Sequence, residues 1–336
     1  MPHVQPALWG AAMVAGCAGL SALLILILRP ILIRYLLAHP NARSSHKAPT
    51  PQGAGIAVTL ALLAGAVLSL AFWHPGGPSL LPVLATALFL TVLGALDDAH
   101  ALPVWWRLIG QALAALAVVL SLPQGFQLFP EVMPLALERT LLVLGTVWFV
   151  NAVNFLDGLD WMTVVQVVPI TLGIVALQAL GAVPATIGLL ALALLGAVLG
   201  FAVFNKHPAS IFLGDAGSLP IGLCLAVMLI FVAETNLAAA LLLSLYTLAD
   251  ATLTLFRRMV ARERVFSAHR THFYQRAVGQ GLSVPQVTTR VFLVCVLLAI
   301  LAIVTVLADS LVIDVVMLGF GLLATGVTLY ALATGR

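Results

Sequence analysis

The sequence predicts an all-α, polytopic integral membrane protein. Hydrophobic residues make up 62% of its 336 residues and charged residues only 8%, and the mean hydropathy is +1.15. Soluble globular chains carry about 25% charged residues, so this composition indicates a chain that lies mostly in lipid. Long charge-free segments favour membrane-spanning helices over a β-barrel, whose strands are short and alternate apolar with polar residues.

About eleven transmembrane helices can be read from the apolar runs, because a helix needs roughly 20 residues to cross a bilayer. The first run lacks the basic segment and the cleavage pattern of a signal peptide, so we predict that it is retained as a membrane span. The predicted spans are 7–28, 54–73, 80–96, 108–122, 140–156, 163–180, 184–204, 217–233, 236–256, 287–307 and 311–333.

Lys and Arg residues are concentrated on one side of these spans. Of the 15 basic residues, 14 lie on the side of the connections after odd-numbered spans, and only Arg139 lies on the other. Because positive residues stay in the cytoplasm, we predict a periplasmic N-terminus and a cytoplasmic C-terminus. We expect one transmembrane domain over residues 1–336, with polar cytoplasmic site loops at 29–53, 97–107, 151–163, 205–219 and 257–286.

Acidic residues are rare in this chain, and five of them lie in three of the predicted cytoplasmic loops: Asp97, Asp98, Asp157, Asp160 and Asp215. Carboxylates that are crowded at a low-dielectric boundary repel one another and need a cation to stay ionised together. Oxygen ligands of this kind suit Mg²⁺, with Mn²⁺ as the alternative. Ordinary solvated acids or helix caps explain one such loop better than they explain three on the same side.

A basic cluster, "HRTHFYQ", lies in the longest predicted cytoplasmic loop and contains His269, Arg270 and His272. Arg binds phosphate through paired hydrogen bonds, and His donates a hydrogen bond or a proton near neutral pH. Contact with anionic lipid headgroups is the simpler explanation for the other Arg residues of this loop. Asp250 lies inside a predicted span, where either support of the site or a hydrogen bond between helices would explain it.

Two glycine-rich stretches, "PTPQGAG" and "GDAGSLP", each precede an apolar helix. Free N–H groups at a helix start suit an anion, although most such stretches are plain turns. Acids for a metal, cations for phosphate and a membrane location together predict phosphoryl transfer from a nucleotide-like donor to a lipid phosphate.

Five ordered motifs, "RSSHKAPTPQGAG", "LDDAHAL", "NAVNFLDGLD", "NKHPASIFLGDAGSLPIG" and "HRTHFYQ", resemble the polyprenyl-phosphate N-acetylhexosamine-1-phosphate transferases. The resemblance covers roughly residues 29–290. It implies transfer of a sugar-1-phosphate from a UDP-N-acetylaminosugar to undecaprenyl phosphate in the bacterial inner membrane, with UMP as the second product. Membrane lipid is an implied partner, a nucleic acid is not expected, and the sequence leaves a homodimer open.

The resemblance also assigns roles to individual residues. Asp215 and Asn154 would hold Mg²⁺, and Asp97 would act on or position the lipid phosphate, either as a base or as a nucleophile. The predicted catalytic residues are Asp97, Asp98 and Asp215. The predicted substrate-binding residues are Lys47, Asn154, Asp157, Asp160, Asn205, Phe212, His269, Arg270 and His272. Among these, Asp160 would bind the uracil edge, and the Phe212 ring would stack on it.

Two departures from the family pattern bear on the donor. The last loop has His272, Phe273 and Tyr274 where many members have "HIH", which resembles the branch that begins O-antigen or exopolysaccharide synthesis. That branch implies FucNAc, QuiNAc or GlcNAc as the sugar, and not the peptidoglycan precursor. Trp161 replaces the glycine of the usual "DGLDG", so we expect a narrowed or reshaped donor pocket.

Two other functions fit the sequence less well. Secondary transporters place charges at the bilayer midplane on broken helices, whereas the charges here gather at one face. CDP-alcohol phosphotransferases require an Asp-Gly followed by Ala-Arg and further spaced aspartates, and "DGLDWMT" lacks that continuation.

Overall fold

The computed structural model describes residues 6–38, 49–73, 77–130, 132–263 and 269–335, and most of these are helical. Eleven long helices, one short helix and a pair of two-residue strands follow one another along this part of the chain. In chain order the elements are α1 (Pro6–Tyr35), β1 (Leu37–Ala38), β2 (Thr50–Pro51), α2 (Gly55–Trp73), α3 (Leu81–His100), α4 (Val104–Leu120), α5 (Leu135–Phe155), α6 (Met162–Ala179), α7 (Ala185–Asn205), α8 (Asp215–Thr235), α9 (Leu237–Val260), α10 (Phe273–Gly279), α11 (Val284–Ala308) and α12 (Leu311–Thr334).

The predicted all-α membrane fold is confirmed. Within the described ranges, nine helices are long and apolar enough to cross a membrane, and the shorter apolar helices α2 and α4 complete a set of eleven that overlaps the predicted spans one for one. Helix α1 extends beyond its predicted end and continues through Pro30 to Tyr35, because membrane helices tolerate an internal proline. Which end of the bundle faces the cytoplasm stays a prediction.

Helix α8 lies at the centre of the bundle. Its residues from Ala216 to Val232 are all buried, and α3 and α5 pack along it. A helix that is apolar on all sides is expected to be surrounded by other helices. Its first residue, Asp215, therefore lies at one end of the bundle with other helix ends around it.

Helix α3 approaches α8 closely at Gly94. A Cβ atom at this position would lie only 2.2 Å from the backbone oxygen of Asp215, so no larger residue fits without moving the helices apart. Asp98 follows Gly94 by four residues and lies on the same helix face. The close approach therefore brings the Asp98 carboxylate to the start of α8.

The segment between α1 and α2 contains the only strands of the described chain, with β1 paired antiparallel to β2. The chain from the end of β2 to the start of α2 pairs with the residues before α8: the Phe212 N–H donates to the Pro51 oxygen at 2.8 Å, and the Gly55 N–H donates to the Leu213 oxygen at 2.9 Å. Strands of two residues show no periodicity, so the all-α prediction missed them. They hold the two glycine-rich stretches side by side.

Candidate active site

Asp215 and Asn154, the predicted metal ligands, are in direct contact. Asp215 begins α8, and its Oδ1 accepts a hydrogen bond from Asn154 Nδ2 at 2.7 Å. Asn154 lies near the end of α5 and also donates to Ser218 Oγ at 2.8 Å. About a quarter of the Asp215 side chain is exposed, so the carboxylate remains accessible to a ligand.

Arg107 links Asp97 to Asp215. Its Nη1 atom lies 2.9 Å from Asp97 Oδ2 and 3.5 Å from Asp215 Oδ2. The other Asp97 oxygen accepts a hydrogen bond from the Leu102 N–H at 2.6 Å. The α3–α4 turn brings Arg107 back beside the end of α3. From the sequence, Arg107 was predicted only to mark membrane orientation; its position ten residues after Asp97 was the available signal.

Asp98 caps the start of α8 from a different helix. Its Oδ1 accepts from the Asp215 N–H at 2.9 Å, and its Oδ2 accepts from the Ala216 N–H at 3.1 Å. The Gln52 side-chain amide donates to Oδ1 as well. Gly214, the residue that would normally supply a cap, has no side chain, and a Cβ atom there would lie 2.4 Å from Asp98 Oδ2. Asp98 therefore fixes the position of Asp215; its predicted catalytic role stays a prediction.

Asp157 lies in the connection between α5 and α6, where its carboxyl group accepts a hydrogen bond from the Thr163 hydroxyl. Burial raises the pKa of Asp157 to about 8. The Thr163 hydrogen bond opposes this increase, whereas the negative charges of Asp215 and Asp98 add to it. The Asp157 carboxyl group therefore lies within electrostatic range of Asp215 and Asp98, and its role in the donor site stays a prediction.

The balance of charge in this cluster suits a divalent cation. Asp97 and Asp215 share the single positive charge of Arg107, and Asp98 adds a third carboxyl group beside Asp215. Carboxylate and amide oxygens, which Asp215 and Asn154 supply, are ligands that Mg²⁺ and Mn²⁺ prefer. Among the described residues, no three His, Cys, Asp or Glu side chains already surround a common metal position. The donor chemistry fits the predicted metal, which itself stays a prediction.

Asp160 and Asn205 join the α5–α6 connection to the α7–α8 connection. Asp160 is 2% exposed, and its Oδ2 lies 2.7 Å from His207 Nδ1 and 3.1 Å from the Ala209 N–H. Asn205 Oδ1 accepts from the Trp161 N–H at 2.7 Å, and Asn205 Nδ2 donates to the Ile211 oxygen at 3.0 Å. These contacts brace the predicted donor loops, and the roles of both residues in donor binding stay predictions.

Phe212, Lys47 and Trp161 are the remaining residues that were expected to shape the donor site. Phe212 is held by its backbone, which pairs with the residues after β2. Lys47 lies outside the described residues. Trp161 adopts a left-handed backbone conformation with φ 63°, which favours the glycine that it replaces. Its indole Nε1 donates to the Ala202 oxygen at 2.7 Å, and its side chain lines a cavity of about 390 Å³ between α6, α7 and α11.

The "HRTHFYQ" segment folds back onto the end of α5. His272 is buried and its Nδ1 lies 3.1 Å from Asp250 Oδ1, while the His269 ring stacks on the His272 ring with centroids 5.0 Å apart. The Tyr274 hydroxyl donates to the Phe155 oxygen at 2.9 Å, next to Asn154 in the chain. Arg270 lies between the two histidines in sequence. The predicted phosphate-binding segment thus reaches the same end of the bundle as the acids.

The His269 side chain is neutral at physiological pH. Burial lowers the pKa of His269 to about 4, and the nearby His272 and Arg258 side chains lower it further. A neutral imidazole binds phosphate as a hydrogen-bond donor and not as a cation. The positive charge that this segment offers a bound diphosphate would therefore come from Arg270, its single Arg.

Comparison with known proteins gives the same class of enzyme. Residues 80–233, which include Asp97, Asn154 and Asp215, match the model of glycosyl transferase family 4. The chain is 27% identical over 302 residues to the probable undecaprenyl-phosphate N-acetylglucosaminyl 1-phosphate transferase of Bacillus subtilis, an alignment that covers 84% of this chain and 82% of that protein.

Two further relatives are similar over most of their length. The decaprenyl-phosphate N-acetylglucosaminephosphotransferase of Mycobacterium leprae is 28% identical, with 76% of this chain and 73% of that protein covered. The phospho-N-acetylmuramoyl-pentapeptide-transferase of Symbiobacterium thermophilum is 32% identical, with 65% of this chain and 71% of that protein covered. The chain therefore belongs to glycosyl transferase family 4, the polyprenyl-phosphate N-acetylhexosamine-1-phosphate transferases.

Proposed function

We propose that this protein transfers a sugar-1-phosphate from a UDP-N-acetylaminosugar to undecaprenyl phosphate at the cytoplasmic face of the bacterial inner membrane. One observation carries the proposal: acids from α3 and α8 and an amide from α5 meet at one end of the bundle, with Arg107 between two of them. Membership in a family of transferases leaves the secondary-transporter alternative without support.

The proposed reaction exchanges one phosphorus–oxygen bond for another. An oxygen of the lipid phosphate attacks the β-phosphorus of the UDP-sugar, which carries the sugar. The bond from that phosphorus to the bridging oxygen breaks, and UMP leaves with this oxygen and its electron pair. The products are undecaprenyl-diphosphate-sugar and UMP, and no oxidant or reductant is required.

Positive charge is the main requirement of this step. A phosphate monoester has its second pKa near 6, so the attacking oxygen is already ionised at neutral pH and needs little help from a base. Charge instead accumulates on the oxygens around the transferred phosphorus. Arg107 is a cation at the centre of the acidic cluster, and Asp97 and the Leu102 contact orient it there. We therefore assign Asp97 to the positioning of Arg107 and of the lipid phosphate.

Asp215 and Asn154 are the residues that would hold the divalent metal. When bound, the metal would neutralise negative charge on the donor phosphates. Asp98 keeps Asp215 in place through the two N–H groups of the α8 start. The "HRTHFYQ" segment, which is fixed against the end of α5, would bind the donor diphosphate through His269 and Arg270.

The sugar is proposed to be an N-acetylated aminosugar such as FucNAc, QuiNAc or GlcNAc, and the product to serve O-antigen or a related glycan. The names of the relatives support an N-acetylated aminosugar, because each contains one. The "HRTHFYQ" segment and Trp161, which lines the cavity beside Asp160, support a donor other than the peptidoglycan precursor.

The proposal is tested with purified protein, undecaprenyl phosphate, MgCl₂ and a panel of UDP-sugars, with UMP release and the mass of the lipid product as the measurements. Asp215→Ala should abolish UMP release and leave the protein folded. Asp309→Asn is the matched control, because Asp309 lies in the connection between α11 and α12, on the side predicted to be periplasmic. Full activity of Asp215→Ala, or no product with any UDP-sugar, would contradict the proposal.

A further inference from the structure

Asp250 is a completely buried acid in the membrane helix α9, ten residues before the helix ends at Val260. An ionisable side chain in this position is costly unless hydrogen bonds compensate for the lost water. Two donors come from the same helix: Thr254 Oγ1 at 3.2 Å from Oδ1, and the Tyr246 hydroxyl at 3.4 Å from Oδ2. If these two were its only hydrogen-bond donors, Asp250 would stabilise α9 and contact no other part of the chain.

Three more donors come from consecutive residues of the "HRTHFYQ" segment. His272 Nδ1 and the Phe273 N–H each lie 3.1 Å from Oδ1, and the Tyr274 N–H lies 3.4 Å from Oδ2. The side chain of His272, which precedes α10, forms no cap for this helix. The Asp250 carboxylate accepts from the first N–H groups of α10 in its place, just as Asp98 does for α8.

The same contacts set the geometry of the segment. Because the carboxylate accepts from His272 Nδ1, that nitrogen carries the proton and the ring orientation is fixed. The His269 ring stacks on the His272 ring, and the Tyr274 ring also stacks on the His272 ring, with centroids 5.8 Å apart. Tyr274 in turn reaches the Phe155 oxygen on α5. One buried carboxylate thus holds His272, and through it His269, beside the helix that carries Asn154.

We infer that Asp250 is a positioning residue for donor binding, which holds the "HRTHFYQ" segment in the conformation that receives the donor diphosphate. The inference rests on the proposed function, because that function gives the segment its ligand. Because Asp250 has no exposed surface, it would act through the segment and not by its own contact with the substrate. Its effect should therefore appear in donor binding and not in lipid binding.

The test compares Asp250→Asn with Tyr246→Phe and Thr254→Val in the purified full-length protein. Asparagine keeps the size of aspartate but turns an amide NH₂ group toward N–H donors. Asp250→Asn should raise KM for the UDP-sugar by roughly 10- to 100-fold, equivalent to about 1.4–2.8 kcal/mol, because the segment loses hydrogen bonds that hold its conformation. KM for undecaprenyl phosphate should stay within about twofold of wild type. Both control variants remove a hydrogen bond to the same carboxylate without freeing the segment, so their donor KM should stay near wild type.

Hydrogen exchange, in the wild type and in Asp250→Asn, gives a second measurement that does not depend on enzymatic activity. The Phe273 and Tyr274 amides should be protected, and Asp250→Asn should remove that protection while α9 stays protected. Fast exchange of both amides in the wild type would overturn the inference. So would an equal rise of both KM values in Asp250→Asn, or a donor KM unchanged from wild type. If the wild type releases no UMP, the proposed function fails, whereas the exchange result still decides whether Asp250 holds the segment.

Discussion

The carboxylate of Asp98 accepts a hydrogen bond from the backbone N–H of Asp215 at 2.9 Å, across the contact between α3 and α8. One acid of the cluster thereby sets the position of another. The α8 N-terminus also carries a partial positive charge, which attracts an acidic side chain to this position. The site is thus assembled by helix capping between elements that lie far apart in the chain.

Asp98→Asn should weaken this cap, because its amide nitrogen would face either the Asp215 or the Ala216 N–H. We expect a loss of about 1–2 kcal/mol in stability, as for other lost caps, and a fall in UMP release of at least about tenfold because Asp215 loses its fixed position. Thermal unfolding and UMP release are the measurements. Asp309→Asn, the same chemical change in the connection between α11 and α12, should change neither.

Gly214→Ala tests the same contact from the other side. Its Cβ atom would lie 2.4 Å from Asp98 Oδ2, and the residue has φ 75°, which is unfavourable for alanine. Gly319→Ala is the matched control, since a Cβ atom there meets nothing within 4 Å. Equal activity of the two alanine variants would contradict the capping role of Asp98.

The helices were predictable because each one is a long apolar run, and lipid allows such a run little choice of structure. The meeting of Asp97, Asp157 and Asp215 was predictable for a related reason. Each lies where a span begins or ends on the same side of the predicted topology, so the bundle has to gather them. The inward course of "HRTHFYQ" and the strand pair gave no comparable signal, since neither is periodic.

The partners of individual side chains could not be predicted. An Arg at the end of a membrane helix usually indicates topology, which concealed the contact of Arg107 with Asp97 and Asp215. Asp250 left two interpretations open, because the choice depended on a segment that follows it by more than 20 residues. Such contacts arise from packing between distant elements, and no local pattern encodes them.

Arg107→Gln should separate metal binding from transfer. Without the guanidinium, Asp97 and Asp215 lose their shared cation, so the site becomes more negative and should bind Mg²⁺ more tightly. UMP release should nevertheless fall by roughly 100-fold or more, the usual effect of removing a donor that stabilises developing charge. The measurements are melting temperature against MgCl₂ concentration and the rate of UMP release.

Arg107→Lys keeps the charge but not the planar, multiply donating group, so its activity should lie between wild type and Arg107→Gln. A fully active Arg107→Gln variant would exclude Arg107 from the reaction. Weaker Mg²⁺ binding by that variant would place the metal away from Asp97 and Asp215.

Asp157 should make stability depend on pH. Its pKa is about 8 in the folded protein and 3.8 ordinarily, so the folded state holds a proton that the unfolded state has lost between roughly pH 4 and pH 8. Stability from this group therefore falls as pH rises through that window. In EDTA, melting temperature should decrease less between pH 6 and pH 8.5 for Asp157→Asn than for wild type. MgCl₂ should reduce the wild-type decrease, because a cation would offset the charges of Asp215 and Asp98. Parallel curves for the two proteins would contradict the prediction.

At position 161 we expect a glycine variant to be more stable than an alanine variant, the reverse of the usual order. The left-handed backbone of Trp161, with φ 63°, costs a non-glycine residue about 1–2 kcal/mol. Trp161→Ala and Trp161→Gly both lose the indole bond to the Ala202 oxygen and the packing in the cavity beside Asp160. Only Trp161→Gly also relieves the strain of the left-handed backbone. Its melting temperature should therefore exceed that of Trp161→Ala by the equivalent of about 1 kcal/mol or more. Both variants should raise KM for the preferred UDP-sugar and leave KM for undecaprenyl phosphate unchanged, because the enlarged cavity adjoins the proposed donor residues and not Asp97. A higher melting temperature for Trp161→Ala would show that the backbone at this position carries no strain.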